Sequence, residues 1–89
     1  MDRGEILKEA HRLTNADRNK NYGEPLVNHR RIARLWSVIL ETEIRPDQVA
    51  LCMVAVKIAR LVETPTHEDS YIDGAAYMAI AGEIVQETP

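Results

Sequence analysis

The sequence DQVALCMVAVKIARLV, from Asp47 to Val62, decides the fold because it is apolar on almost every side of a helix. We expect other helices to wrap such a helix. After Asp47, its only charged residues are Lys57 and Arg60, which lie one turn apart. Long charged side chains in an apolar helix need a polar destination, which is a first indication of a ligand.

The prolines Pro25, Pro46 and Pro65 divide the rest of the chain into helix-length segments. Proline suits the first turn of a helix, and no segment alternates as a strand does. Residues 15–24 are rich in turn formers and form the longest loop. The sequence therefore predicts an all-α fold, a four-helix bundle-like single domain over residues 1–89. The predicted helices cover residues 3–14, 25–41, 47–62 and 67–86.

The composition, 45% apolar and 28% charged, is typical of a soluble globular protein. A core built from 89 residues is small, so we expect a homo-oligomer. The net charge of −3 disfavours duplex nucleic acid as a partner, and no apolar run reaches membrane length. Cys52 is expected to be a buried free thiol, which indicates a reducing, cytoplasmic location.

Asp69, Asp73 and Tyr77 recur at intervals of four and share one stripe of the last helix. Two carboxylates one turn apart can hold magnesium, which prefers oxygen ligands and keeps waters that a substrate phosphate can share. Alternatively, Asp69 serves the capping box of a helix that Thr66 opens, and Asp73 favours the positive end of the helix dipole. Both interpretations stay open at the level of sequence.

Lys57 and Arg60 suit phosphate oxygens, the lysine as a point charge and the arginine as a planar two-donor fork. Alternatively, they pair with the aspartates of the last helix or favour the negative end of their own helix dipole. Tyr22 can stack on a base or sugar, and the Asn28 amide can read an edge of the ligand. The alternative for Tyr22 and Asn28 is a loop anchor and a polar first-turn residue.

With these residues in view, the chain resembles a family of small phage and prophage proteins of undefined function. The shared pattern reads R…YG.P..N..RIA.LW, then VAL.MV..KIAR, then H.DS..D.AGY, and it departs only at Ala76, where the pattern has glycine. The matching positions are Arg18, Tyr22, Gly23, Pro25, Asn28, 31–33, Leu35, Trp36, 49–51, Met53, 57–60, His67, Asp69, Ser70, Asp73 and Tyr77.

That family is similar in helical layout to the MazG-like, all-α nucleoside triphosphate pyrophosphohydrolases. This wider resemblance implies a helical bundle completed by subunit association, in which magnesium held by helix carboxylates helps water attack a nucleotide phosphate. The hydrolases carry an ExxE and an ExxD pair, and neither spacing occurs in this chain. Two acids facing two bases suit phosphate binding better than the assembly of several metal ions.

The leading hypothesis is a phage-type, MazG-like protein that binds a nucleotide or related phosphate compound and has a possible magnesium-dependent pyrophosphohydrolase activity. Asp69 and Asp73 are its candidate catalytic residues and metal ligands. The candidate substrate-binding residues are Tyr22, Asn28, Lys57, Arg60 and Tyr77. The alternative is a non-enzymatic protein that sequesters a nucleotide signal or a host protein. In a third, structural alternative the charged stripe is an internal salt-bridge network.

Overall fold

A computed structural model describes residues 1–15 and 24–87, and these ranges contain four α-helices and no strand. The all-α prediction is therefore confirmed at this level. The predicted loop over residues 15–24, with Tyr22 and Gly23, lies almost entirely outside the described residues. The helices are α1 (Arg3–Asn15), α2 (Pro25–Leu40), α3 (Pro46–Glu63) and α4 (Glu68–Glu87).

The first turns of α2 and α3 follow directly from proline and from the residue before it. Pro25 and Pro46 each occupy the first turn, where the missing N–H costs no helical hydrogen bond. The Glu24 carboxylate accepts a hydrogen bond from the Val27 N–H at 3.2 Å and so caps α2. At the start of α3, the Arg45 N–H donates to Gln48 Oε1 at 2.9 Å.

The predicted capping role of Thr66 is wrong. Helix α4 begins at Glu68, so His67 occupies the N-cap position. The Ser70 N–H donates to the His67 carbonyl at 3.2 Å, and the Ser70 hydroxyl lies 2.7 Å from His67 Nδ1. These local bonds satisfy the first turn from a position one residue later than Thr66 would.

Helices α3 and α4 form the main packing pair of the fold. The link between them is only four residues long, so they run antiparallel. A Cβ built on Gly74 of α4 would lie 3.9 Å from Lys57 Cβ, so the two helices approach closely there. Helix α1 packs on α4 through Ala10, Ile72 and Ala76, and α2 packs mainly on α3. The helices thus follow the spatial order α1, α4, α3, α2.

The expectation that α3 is wrapped on all sides is wrong for a single chain. Its neighbours α4 and α2 cover only part of it, and Val49 and Ala50 are its buried residues. Cys52 is exposed, which corrects the prediction of a buried thiol. The physical reason is that residues 1–15 and 24–87 contain only three other helices, and of these mainly α4 and α2 pack on α3. Large apolar side chains remain exposed on Leu51, Val56, Ile58 and Val62.

Candidate functional site

The candidate site is centred on an ion pair between α3 and α4. Lys57 Nζ lies 3.1 Å from Asp73 Oδ2, and the two side chains are 12% and 26% exposed. The close approach at Gly74, the residue next to Asp73, brings the two helices near enough for this contact. Because the pair is partly shielded from water, each charge is stabilised by its partner more than it would be in a fully exposed ion pair.

Arg60 and Asp69 flank this pair on the side of the α3–α4 connection. Arg60 follows Lys57 by one turn of α3, and Asp69 precedes Asp73 by one turn of α4. Because the two helices are antiparallel, both residues lie toward the same end of the hairpin. Both are exposed, and neither side chain makes a hydrogen bond or ion pair within residues 1–15 and 24–87.

Tyr77 continues the stripe of α4 one turn beyond Asp73 and contacts α2. Its ring centroid lies 6.1 Å from that of His29, with the ring planes at 62°, an edge-to-face arrangement. Asn28, the neighbour of His29 on α2, is half-buried. The structure therefore brings Tyr77 to the helix that carries Asn28, while Tyr22 lies outside the described residues.

His29 is a buried polar residue at this junction, and it is not among the residues that the sequence singled out. It is 4% exposed, and its Nδ1 lies 2.8 Å from the Pro25 carbonyl. A carbonyl only accepts, so Nδ1 carries the proton and donates. Nε2 is buried and has no hydrogen-bond partner within residues 1–15 and 24–87. No sequence signal distinguishes such a histidine from an ordinary core residue.

The predicted magnesium ligands are the two carboxylates Asp69 and Asp73. No group of three or more His, Cys, Asp or Glu side chains in those ranges is arranged to hold a metal ion. Of the two predicted ligands, Asp73 already pairs with Lys57 and Asp69 stands one turn away. A cation next to Asp73 would have to share that carboxylate with the lysine ammonium, which repels it.

A cavity of about 130 Å³ lies at a different place, between the end of α1, the start of α2 and the second half of α4. It contains none of the predicted site residues. Two carboxylates, Glu24 and Glu83, stand at its wall, so its charge does not suit a phosphate. The other lining residues are Thr14, Asn15, Pro25, Ala79 and Ile80.

Comparison with known proteins identifies a family for this chain. Residues 5–85 match the family described as Domain of unknown function (DUF6378). The chain belongs to this family. The DUF6378 match includes most of each of the four helices, and it confirms the predicted membership of a small phage protein family of undefined function.

Two curated relatives are phage proteins. The chain is 46% identical to the Gene 55 protein of Mycobacterium phage D29 over 82 residues, or 92% of this chain. It is 38% identical to the Gene 55 protein of Mycobacterium phage L5 over 76 residues, or 84% of this chain. These matches cover 54% and 49% of the two phage proteins, so the chain spans about half their length.

No solved structure matches this DUF6378 chain. None of its described helices is long and apolar enough to cross a lipid bilayer.

Proposed function

We propose that this DUF6378 protein binds a nucleotide or related phosphate compound at the Lys57–Asp73 pair. The observation that carries the proposal is a lysine only 12% exposed, set in an apolar helix and balanced by a single carboxylate. An anionic ligand can replace that carboxylate as the counter-ion of Lys57. Arg60, one turn away and exposed, adds a second cation with two parallel donors.

The other predicted residues have supporting roles in this proposal. Asn28 and Tyr77 shape the pocket at the α2 side, and Tyr22 contributes a stacking surface. Asp69 and Asp73 orient water or hold magnesium, which takes its remaining ligands from water and substrate phosphate. The protein has a MazG-like layout, and self-association completes the bundle.

Sequestration without turnover is the second candidate function. The direct contact between Lys57 and Asp73 favours it, since a carboxylate engaged by an ammonium is a poor general base and a poor metal ligand. If hydrolysis does occur, the MazG resemblance predicts a nucleoside monophosphate and pyrophosphate as products. Their formation by the wild-type protein, with loss in Asp73→Asn, would contradict pure sequestration of a nucleotide.

The proposal is tested by thermal shift against a panel of nucleoside mono-, di- and triphosphates, with and without magnesium. We expect at least one nucleotide to raise the Tm of the wild-type protein, because a ligand that binds only the folded state stabilises it. Lys57→Met should abolish the shift. Glu83→Gln, in the separate cavity, is the matched control and should retain it.

Absence of stabilisation by every nucleotide would contradict binding. A shift that survives in Lys57→Met would contradict the location. If Lys57→Met only lowers the Tm, and no nucleotide changes the Tm of either protein, the pair is an internal salt bridge, as in the structural alternative.

A further inference from the structure

One face of α3 is apolar and exposed along most of the helix. Leu51, Ala55, Ile58 and Val62 are spaced by four, three and four residues, so they form one continuous stripe, here called the outer face of α3. Leu51, Ile58 and Val62 are 46%, 57% and 80% exposed. The helical period places Lys57 on the opposite side of the same helix, so the Lys57–Asp73 pair faces away from the outer face.

The chain has more surface than a compact monomer of its mass. Its accessible area is 6454 Å², whereas a 10.1 kDa monomer is expected to expose about 5,300 Å². Its radius of gyration is 13.6 Å, compared with about 12 Å for a compact domain of this length. The surplus of about 1,200 Å² exceeds the roughly 800 Å² that each partner buries in a standard interface. Covering one face in a standard interface would therefore remove about two thirds of that surplus.

The outer face of α3 carries an apolar residue at every turn and no charge between its first and last residue. On α2, exposed Leu35, Val38 and Ile39 lie within about one turn, and Leu35 and Val38 each follow an arginine by four residues. On α4, exposed Tyr71, Met78 and Val85 are spaced by seven residues, so large apolar side chains are sparser there than on α3. Charged residues are depleted at the core of stable interfaces, and the outer face of α3 combines that depletion with closely spaced large side chains.

We infer that the outer face of α3 binds the same face of a second copy of this chain. The inference rests on the self-association proposed above and names its surface. In an antiparallel, twofold pairing centred between Ala55 and Ile58, the small side chain of one copy lies opposite the large one of the other. Leu51 then lies opposite Val62. This arrangement leaves Lys57 and Asp73 of each copy facing away from the interface.

The first test is the molar mass in solution, measured by light scattering after size exclusion. We expect twice the chain mass of 10.1 kDa for the wild-type protein. Ile58→Glu should reduce the mass to that of one chain, because it buries an unpaired carboxylate in the interface. Val85→Glu is the matched control, since Val85 is also 57% exposed but lies on α4. It should leave the mass unchanged.

Cys52 provides a second readout that needs no interface mutation. It is the single cysteine, it is exposed in the isolated chain, and it lies one turn before Ala55 at the edge of the outer face. Assembly should slow its reaction with a thiol reagent by about tenfold or more relative to Ile58→Glu, because only the dissociated fraction reacts freely. Circular dichroism checks that the variant remains helical.

The outcomes distinguish failure of this dimer interface from failure of self-association or of nucleotide binding. A monomeric wild-type protein with a reactive Cys52 would overturn self-association and would leave the face to another occupant. A dimer that resists Ile58→Glu and keeps Cys52 reactive would overturn this surface alone. The nucleotide thermal shift is measured independently, and monomeric Ile58→Glu should retain it, because the interface leaves Lys57 free.

Discussion

At the scale of single residues, the Lys57–Asp73 pair is the contact on which the account depends. Because both side chains are partly buried, removing one leaves the other charge poorly solvated. We expect Lys57→Met to lower the free energy of unfolding by about 1–3 kcal/mol. The double variant Lys57→Met/Asp73→Leu should recover most of the loss, since it removes both charges and keeps apolar volume. Urea unfolding measures both effects.

Arg60→Met is the control for this prediction. Arg60 is exposed and pairs with no carboxylate in the described part of the chain, so its replacement should change stability by no more than about 0.5 kcal/mol. Equal losses in Lys57→Met and Arg60→Met would contradict an important ion pair at this position.

A second residue-scale prediction concerns Glu41, which ends α2 with φ 52° and ψ 39°. This left-handed conformation costs a non-glycine residue about 1 kcal/mol. Glu41→Gly should therefore raise the free energy of unfolding by about that amount. Glu43→Gly is the control, because Glu41 is the one described non-glycine residue with positive φ. A gain in both variants, or in neither, would contradict the assigned strain.

At the scale of helices, Gly74 sets how closely α3 and α4 approach. A Cβ at Gly74 would make ordinary contact with Lys57, and one at Gly82 would meet nothing within 4 Å. Alanine should therefore stabilise the protein at either position, by about 0.5–1 kcal/mol, through helix propensity. Gly74→Leu should destabilise it by separating the helices, whereas Gly82→Leu should not. Thermal unfolding of the four variants tests this, and equal effects of leucine at both sites would contradict it.

Helix α1 depends on pH through its own carboxylates. The Asp2 carboxylate accepts a hydrogen bond from the Glu5 N–H at 2.9 Å, which lowers the pKa of Asp2. A hydrogen bond from Arg12 similarly lowers the pKa of Glu9. A carboxylate whose pKa is lowered in the folded protein stabilises the fold at pH values above its ordinary pKa, near 4. That contribution is lost as the pH falls through the pKa of the folded state.

We therefore expect amides of α1 to exchange faster, relative to those of α3, when the pH is lowered from about 6 to about 3. Comparison with exchange in unfolded peptides corrects for the intrinsic pH dependence. The variant Asp2→Ala/Glu9→Gln should show a smaller change, since it lacks both carboxylates. Identical pH profiles in the wild type and this variant would contradict the assignment.

At the scale of the whole molecule, the boundaries of the helices could be predicted from the sequence better than the packing between them. Proline position and apolar spacing placed four helices within one or two residues, because those signals are local. Pairing of Lys57 with an aspartate of the last helix was one of the alternatives that the sequence left open, and the structure shows this contact with Asp73. Burial of Cys52 was predicted wrongly, because the helical pattern of α3 does not say whether its cover comes from the same chain.

His29 shows a different limit of sequence reasoning. Its orphaned Nε2 depends on where α2 meets Tyr77, a long-range contact that no local pattern encodes. The same applies to the partner of Asp73, since carboxylate spacing on one helix cannot report that Lys57 of the neighbouring helix lies 3.1 Å away. The polar residues of each helix could therefore be predicted from the sequence, whereas their contacts with residues distant in the chain could not.

The central claim is that a phosphate compound binds between α3 and α4 at Lys57. The most direct measurement is a titration of ¹⁵N-labelled protein with the nucleotide that gives the largest thermal shift, followed by amide chemical shifts. The account predicts saturable changes concentrated in residues 57–60 and 69–77, which are lost in Lys57→Met. Changes concentrated around the cavity of Glu24 and Glu83, or no saturable change at all, would contradict it.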